Sequence, residues 1–182
     1  MEFVAHSLWT AAAGITINKS THRRVRVPWM VWWGIFPDVL AFGPSVVLGL
    51  VLWATGSLQP HAGGGFHVPR VRLGLPLYPA AHSLVIFLIA FAITSLLARR
   101  LVLELLGWLL HILIDIPMHS YSYYATRFLW PISEYRIDGI PWWTPWLWVW
   151  TYVGLAAVYF VLWKKDWLSK APPVRERVGA VR

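Results

Sequence analysis

The chain has no cysteine, which excludes disulfides and thiolate metal sites. It has little charge: Asp, Glu, Lys and Arg make up 13% of 182 residues, and only 8 of them are acidic. A soluble domain of this size carries about twice that share. Few residues lie outside the apolar runs, so there is no room for a separate soluble domain. What fills the chain instead is hydrophobic side chains, 58% of the total, and 14 tryptophans. This composition predicts an integral membrane protein.

Apolar runs approaching the roughly 20 residues of a bilayer span occur at 29–54, 77–98, 101–120 and 141–163, with a shorter one at 3–17. Glu2 stands where a signal peptide would be positive, so the first run is expected to stay in the mature protein. Because that run is short, it can tilt, thin the bilayer or re-enter without crossing. Pro37 and Gly43-Pro44 interrupt the second run, predicting a kink or two pieces. The expected fold is all-α, a bundle of about five hydrophobic helices with the first short, with a His/Asp site of metal type between helices. Residues 1–168 form its single membrane domain.

The net charge of +8 raises nucleic-acid binding, but its distribution argues for a membrane. Lys19, Arg23, Arg24, Arg26, Arg99, Arg100, Lys164, Lys165, Lys170, Arg175, Arg177 and Arg182 fall on one side if every run crosses once, leaving Arg70, Arg72, Arg127 and Arg136 on the other. That asymmetry is the positive-inside pattern. It places the C-terminus in the cytoplasm, and fits a bacterial inner (plasma) membrane. The external loops then fall at 55–76, rich in Gly and Pro, and at 118–140. If the first run does not cross, the N-terminus moves to the cytoplasm. The basic stretch 169–182 is expected to be a disordered cytoplasmic tail attracted to anionic lipid.

Within the runs the ionisable residues are His6, Asp38, His82, Glu104, His111, Asp115 and His119. Glu104 follows Arg100 by one helical turn, so an ion pair accounts for it. Asp38 stands far from any charge of its own run and has two readings, a site residue or a group satisfied by backbone freed at Pro37. In GWLLHILIDIPMHS, His111 and Asp115 are i,i+4 neighbours about 5–6 Å apart at Cβ. That spacing suits two ligands of one metal, a carboxylate fixing an imidazole, or a hydrogen-bonded pair joining helices. His119 shares the stripe only if the helix survives Pro117. At 1.5 Å per residue, His82 and Asp115 lie at similar depth, with Asp38 and His111 lower.

PD at 37–38, HS at 82–83 and GWLLHILIDIPMHS followed by TRFLWPIS at 126–133 resemble the predicted membrane-bound metal-dependent hydrolases. These are similar in turn to the zinc-dependent phospholipase C and nuclease group, in which His and Asp from several helices bind a metal cluster. The resemblance covers roughly residues 1–140. By position it implies His6, Asp38, His82, His111 and Asp115 as metal ligands, with Ser83 and Arg127 near the site. Leu40, Leu77 and Ala81 depart from the pattern, at positions where the family often has a second carboxylate, a further histidine and a threonine. These losses argue against a full multi-metal cluster, and His119 can replace one ligand.

A thiolate-free His and carboxylate set suits zinc, manganese or iron, and an open coordination position activates water. The expectation is therefore a membrane-bound, metal-dependent hydrolase acting on a phosphoester or lipid-linked substrate. Asp115, His111 and Asp38 are its catalytic candidates, and Arg127, Arg136 and Ser83 its substrate-binding ones. Glu134 and Asp138 are possible proton carriers that also read as plain loop residues. Competing readings use the same stripe: a metal-free lipid phosphate phosphatase with a histidine nucleophile, a non-catalytic metal or haem binder, or a proton-linked transporter. Against the phosphatase, Leu105 and Ala80 stand where it needs Arg and Ser.

Overall fold

The computed structural model describes residues 2–57, 59–60, 66–67, 77–122 and 124–170. Most of the expected external loop at 55–76, with Arg70 and Arg72, lies outside the described residues, as does the tail from 171 onward. The chain divides into two units, Met1–Thr144 and Pro145–Arg182.

The first unit is helical. It comprises α1 (Phe3–Ser20), α2 (Val27–Ala54), a short α3 (Tyr78–Ala81), α4 (Leu84–Leu97) and α5 (Leu106–Met118), which a 3-10 turn at Leu103–Leu105 introduces. Gln59–Pro60 and Phe66–His67 pair antiparallel over two residues each. The second unit is described here by α6 (Pro145–Lys170). Two helices, α2 and Pro145–Lys165 of α6, are long and apolar enough to cross a membrane.

Run 77–98, expected as one helix, is divided; run 101–120 ends beside Pro117; and the second run, expected to kink or to fall into two pieces, continues as one helix. Run 77–98 splits at His82-Ser83, where the Ser83 hydroxyl caps α4 by accepting from the Ile86 amide at 3.2 Å. Run 101–120 starts in the 3-10 turn and ends at Met118, one residue past Pro117, so α5 has 13 residues. By contrast, α2 continues through both Pro37 and Pro44 as one helix, which excludes the two-piece alternative. Its buried face is Met30, Gly34, Pro37, Asp38 and Ala41, at the i, i+4, i+7 spacing of a helical stripe. Beyond Pro44 the helix exposes Val46, Val47, Leu50, Val51 and Trp53.

Small residues set the helix spacing. A Cβ on Gly107 of α5 would stand 2.0 Å from the Met30 carbonyl oxygen and 2.9 Å from the Gly34 amide nitrogen of α2. A Cβ on Gly34 would stand 2.3 Å from Oγ1 of Thr10 in α1. Glycine at both positions lets three backbones approach where any side chain would separate them. Thr10 adds no unsatisfied group, because its hydroxyl donates back to the His6 carbonyl at 2.7 Å. Next to this crossing, Trp108 anchors the core with Phe87, Leu105 and Ile112. Its indole stacks near Trp33 at 6.2 Å and donates to the Ala81 carbonyl at 2.6 Å, tying α5 to α3.

The described residues of 119–144 form no helix but are fixed by backbone bonds. Gly139, Ile140 and Trp142 donate to the carbonyls of His119, Pro117 and Met118 at 2.9, 2.9 and 3.1 Å. Leu84 donates to Phe128 at 2.8 Å, and the Ser83 hydroxyl donates to the Trp130 carbonyl. A Cβ at Gly139 would fall 2.2 Å from the Pro117 oxygen, so this return along the end of α5 also needs glycine.

Candidate metal centre

One helical turn from the Thr10–Gly34–Gly107 crossing, each helix presents a polar residue. His6 precedes Thr10 by four, Asp38 follows Gly34 by four, and His111 follows Gly107 by four, with Asp115 one turn further. His82, at the break between α3 and α4, completes the group. Ligand atoms of Asp38, His82, His111 and Asp115 all lie within 4.8 Å of one another, and all four residues are buried. Side chains one helical turn apart, such as His111 and Asp115 on α5, thus reach one point.

The hydrogen bonds identify the chemistry. Nδ1 of His111 lies 2.7 Å from the Gly34 carbonyl oxygen, and Nδ1 of His82 lies 3.0 Å from that of Tyr78. A carbonyl only accepts, so both Nδ1 atoms carry a proton, and in a neutral ring that tautomer leaves Nε2 with a lone pair. Those two Nε2 atoms face each other at 3.1 Å. Asp115 Oδ2 lies 3.2 Å from Nε2 of His111 and 3.5 Å from Nε2 of His82, and Asp38 Oδ1 lies 3.7 and 3.6 Å from the same atoms. With both rings neutral, four electron-rich atoms converge, an arrangement that a metal ion among them, or a proton on one Nε2, relieves.

The spacing fits a metal ion. Ligands about 2.0–2.1 Å from a tetrahedral centre stand about 3.3 Å apart, and the five separations above run from 3.1 to 3.7 Å. The group can hold a metal ion between helices. It does not suit haem with His82 and His111 as axial ligands, because bonds of about 2 Å on opposite faces of one iron need about 4 Å between the nitrogens.

His6 and His119 flank the four. His6 Nε2 lies 3.0 Å from Asp115 Oδ1, and its ring stacks on His111 at 3.8 Å between centroids. Its buried Nδ1 has no hydrogen-bond partner among the described residues. His6 therefore orients the Asp115 carboxylate, as an outer partner does in metal sites. Although α5 ends before it, His119 keeps its place beside Asp115. Its Nδ1 lies 3.1 Å from the Asp115 carbonyl oxygen and 3.7 Å from Oδ2.

The remaining candidates sit elsewhere. Ser83 is fully buried and its hydroxyl is engaged by the α4 amide and the Trp130 carbonyl, so it caps a helix and does not face a ligand. Arg127 and Arg136 line a cavity of about 280 Å³ bounded also by Tyr78, Tyr121 and Tyr124. Glu134 pairs with Arg127 at 2.8 Å and Asp138 accepts from the Tyr121 amide at 2.8 Å, so both are loop-fixing groups. Glu104 pairs with Arg100 at 3.5 Å, as the i,i+4 spacing predicts.

Sequence reasoning missed Tyr78, Thr10, Gly34 and Gly107. Tyr78 stacks on His82 at 3.9 Å between centroids, and its hydroxyl donates to the Tyr124 carbonyl at 3.0 Å. The available signal was position: Thr10, Gly34 and Gly107 each lie one turn from a polar residue in an apolar run. No family model, curated protein or solved structure matches the chain.

Proposed function

We propose that the chain is an integral membrane, metal-dependent hydrolase acting on a phosphoester or lipid-linked substrate. In this reading Asp38, His82, His111 and Asp115 hold a divalent ion, zinc first, with manganese or iron as the alternatives. The observation that carries it is the convergence of two Nε2 lone pairs and two carboxylates in a buried site. When bound, such an ion supplies Lewis acidity and brings the ionisation of water near neutral pH. The chain's own residues do the positioning. Gly34 and Tyr78 carbonyls fix the two imidazole tautomers, and His6 holds one oxygen of Asp115 so that the other faces the group. The resemblance in the PD, HS and H-x-x-x-D stretches supports the hydrolase class, and the apolar lengths of α2 and α6 support the membrane setting. The Lys and Arg clusters at 19–26, at 99–100 and after residue 163 favour a cytoplasmic C-terminus, in what we take to be a bacterial inner membrane.

The metal-free phosphatase reading has less support. Its arginine position is Leu105, which is buried in the core.

The test is turnover. Full-length protein in lipid nanodiscs, loaded with zinc, is presented with phosphatidic acid and with a phosphodiester-headgroup phospholipid. Release of phosphate or headgroup that a chelator stops and added zinc restores is the expected result. Absence of turnover on both substrates with metal bound would sink the hydrolase reading while leaving the metal centre in place.

A further inference from the structure

The cavity beside the cluster has a composition that the metal-binding group does not explain. Its walls bring two guanidinium groups, Arg127 and Arg136, together with the phenol rings of Tyr78, Tyr121 and Tyr124. Its volume of about 280 Å³ falls just below that of most ligand sites, which start at about 300 Å³. It suits a compact polar group better than an acyl chain. One aromatic ring separates it from the cluster, since Tyr78 lines the cavity and stacks on His82 at 3.9 Å.

The two arginines are held differently. Arg136 lies over the Tyr121 ring, with Cζ 5.5 Å from the centroid. Tyr121 is itself pinned, its hydroxyl donating to the Arg136 carbonyl at 3.0 Å and its amide to Asp138 at 2.8 Å. That contact leaves the guanidinium edge, where its N–H donors point, available to an acceptor. Arg127 donates to Glu134 at 2.8 Å, and the Glu134 side chain is 66% exposed. A pair this exposed is screened by water and weak, so a better acceptor can displace the carboxylate.

We propose that this cavity is a subsite for a phosphate group, bound by Arg127 and Arg136, and that Glu134 occupies Arg127 until the phosphate arrives. This rests on the hydrolase reading and names its substrate class: a phosphate monoester, either free or carried as a lipid headgroup. Arginine's planar fork matches a tetrahedral phosphate through paired N–H donors, which a single carboxylate on one arginine does not exploit fully. The role of Glu134 gives the proposal a signature of opposite sign, because removing that charge strengthens ligand binding where removing either arginine weakens it.

The experiment is a phosphate titration of the full chain in detergent by calorimetry, repeated in nanodiscs containing phosphatidic acid or phosphatidylcholine. Arg127→Gln and Arg136→Gln are each expected to weaken inorganic phosphate binding about tenfold, the equivalent of one lost charge-assisted bond. Glu134→Gln is expected to tighten it about threefold, by roughly the value of an exposed ion pair. A misfolded variant cannot produce that gain. A preference for phosphatidic acid nanodiscs over inorganic phosphate assigns the group to a lipid, and equal binding assigns it to a free monoester; both support the subsite. No saturable binding of either probe, or arginine variants equal to the wild type, overturns it. The same titrations after chelator treatment separate the two readings. Arginine effects that persist in metal-free protein of unchanged helicity support the cavity independently of the ion. A metal-replete protein indifferent to both arginines keeps the metal centre and rejects the subsite.

Discussion

Two buried carboxylates lie near opposite ends of α5, and the protein stabilises them by different means. Glu104, in the turn leading into the helix, faces Arg100 at 3.5 Å and the Arg26 backbone amide at 3.5 Å. Asp115, eleven residues later and about 16 Å along a helix axis, faces His6, His111, His82 and His119 at 3.0 to 3.7 Å. Arginine brings a permanent positive charge. His82 and His111, whose Nδ1 protons point at carbonyls, bring Nε2 lone pairs when neutral, so Asp115 and its neighbours form a group that can hold an added cation. A carboxylate beside an arginine completes a structure; carboxylates beside oriented histidines complete a binding site.

The largest expected effect comes from removing a donor at the histidine end. Asp38→Asn and His111→Gln should each lower metal affinity by more than about a hundredfold, above the 10–100-fold typical of outer partners, as read by competition with a chromogenic chelator. Retained affinity in both would break the contrast between the two ends. Next is Gly107→Ala, which puts a methyl group on the Met30 carbonyl of α2. It should cost at least about 1–3 kcal/mol of stability and remove metal binding with it, visible as a lower thermal midpoint and an empty site. If Gly107→Ala binds metal normally, the close approach of α2 and α5 is not what assembles the cluster. His6→Gln should weaken metal affinity by about 10–100-fold while leaving the helices folded, since His6 orients Asp115. The smallest effect belongs to the arginine end. Arg100 is 60% exposed, so Arg100→Gln should change stability by about 0–1 kcal/mol in a denaturant titration.

Much of the site was legible because charge is so scarce in this chain. A carboxylate in an apolar run is conspicuous, and His111, Asp115, His82 and Asp38 could be singled out without knowing how the helices pack. Arg100 and Glu104 pair as expected, although Arg100–Val102 is not helical and Glu104 lies in a 3-10 turn. What the sequence did not reveal depends on backbone approach. Nothing in GIFPDVLAFGP says that the helix continues through two prolines, as α2 does. Nothing in YPAAHS says that Ser83 caps a new helix and takes its hydroxyl out of the site. Two of the runs that hydropathy treats as uniform are divided, α4 into 14 residues after the break and α5 into 13 after a 3-10 turn. Hydropathy sums side chains over a window and is blind to a cap or a turn inside it. Gly34 and Gly107 carry the assembly, yet a lone glycine in an apolar run has no meaning until the partner backbone is known.

The most direct test of the account is metal content, measured by inductively coupled plasma mass spectrometry on chelator-free, detergent-purified protein, with Asp115→Asn and Glu104→Gln beside the wild type. The account predicts near-stoichiometric zinc, manganese or iron in the wild type and in Glu104→Gln, and loss of that ion in Asp115→Asn. A folded wild type without metal, or an Asp115→Asn variant that keeps it, would contradict the account.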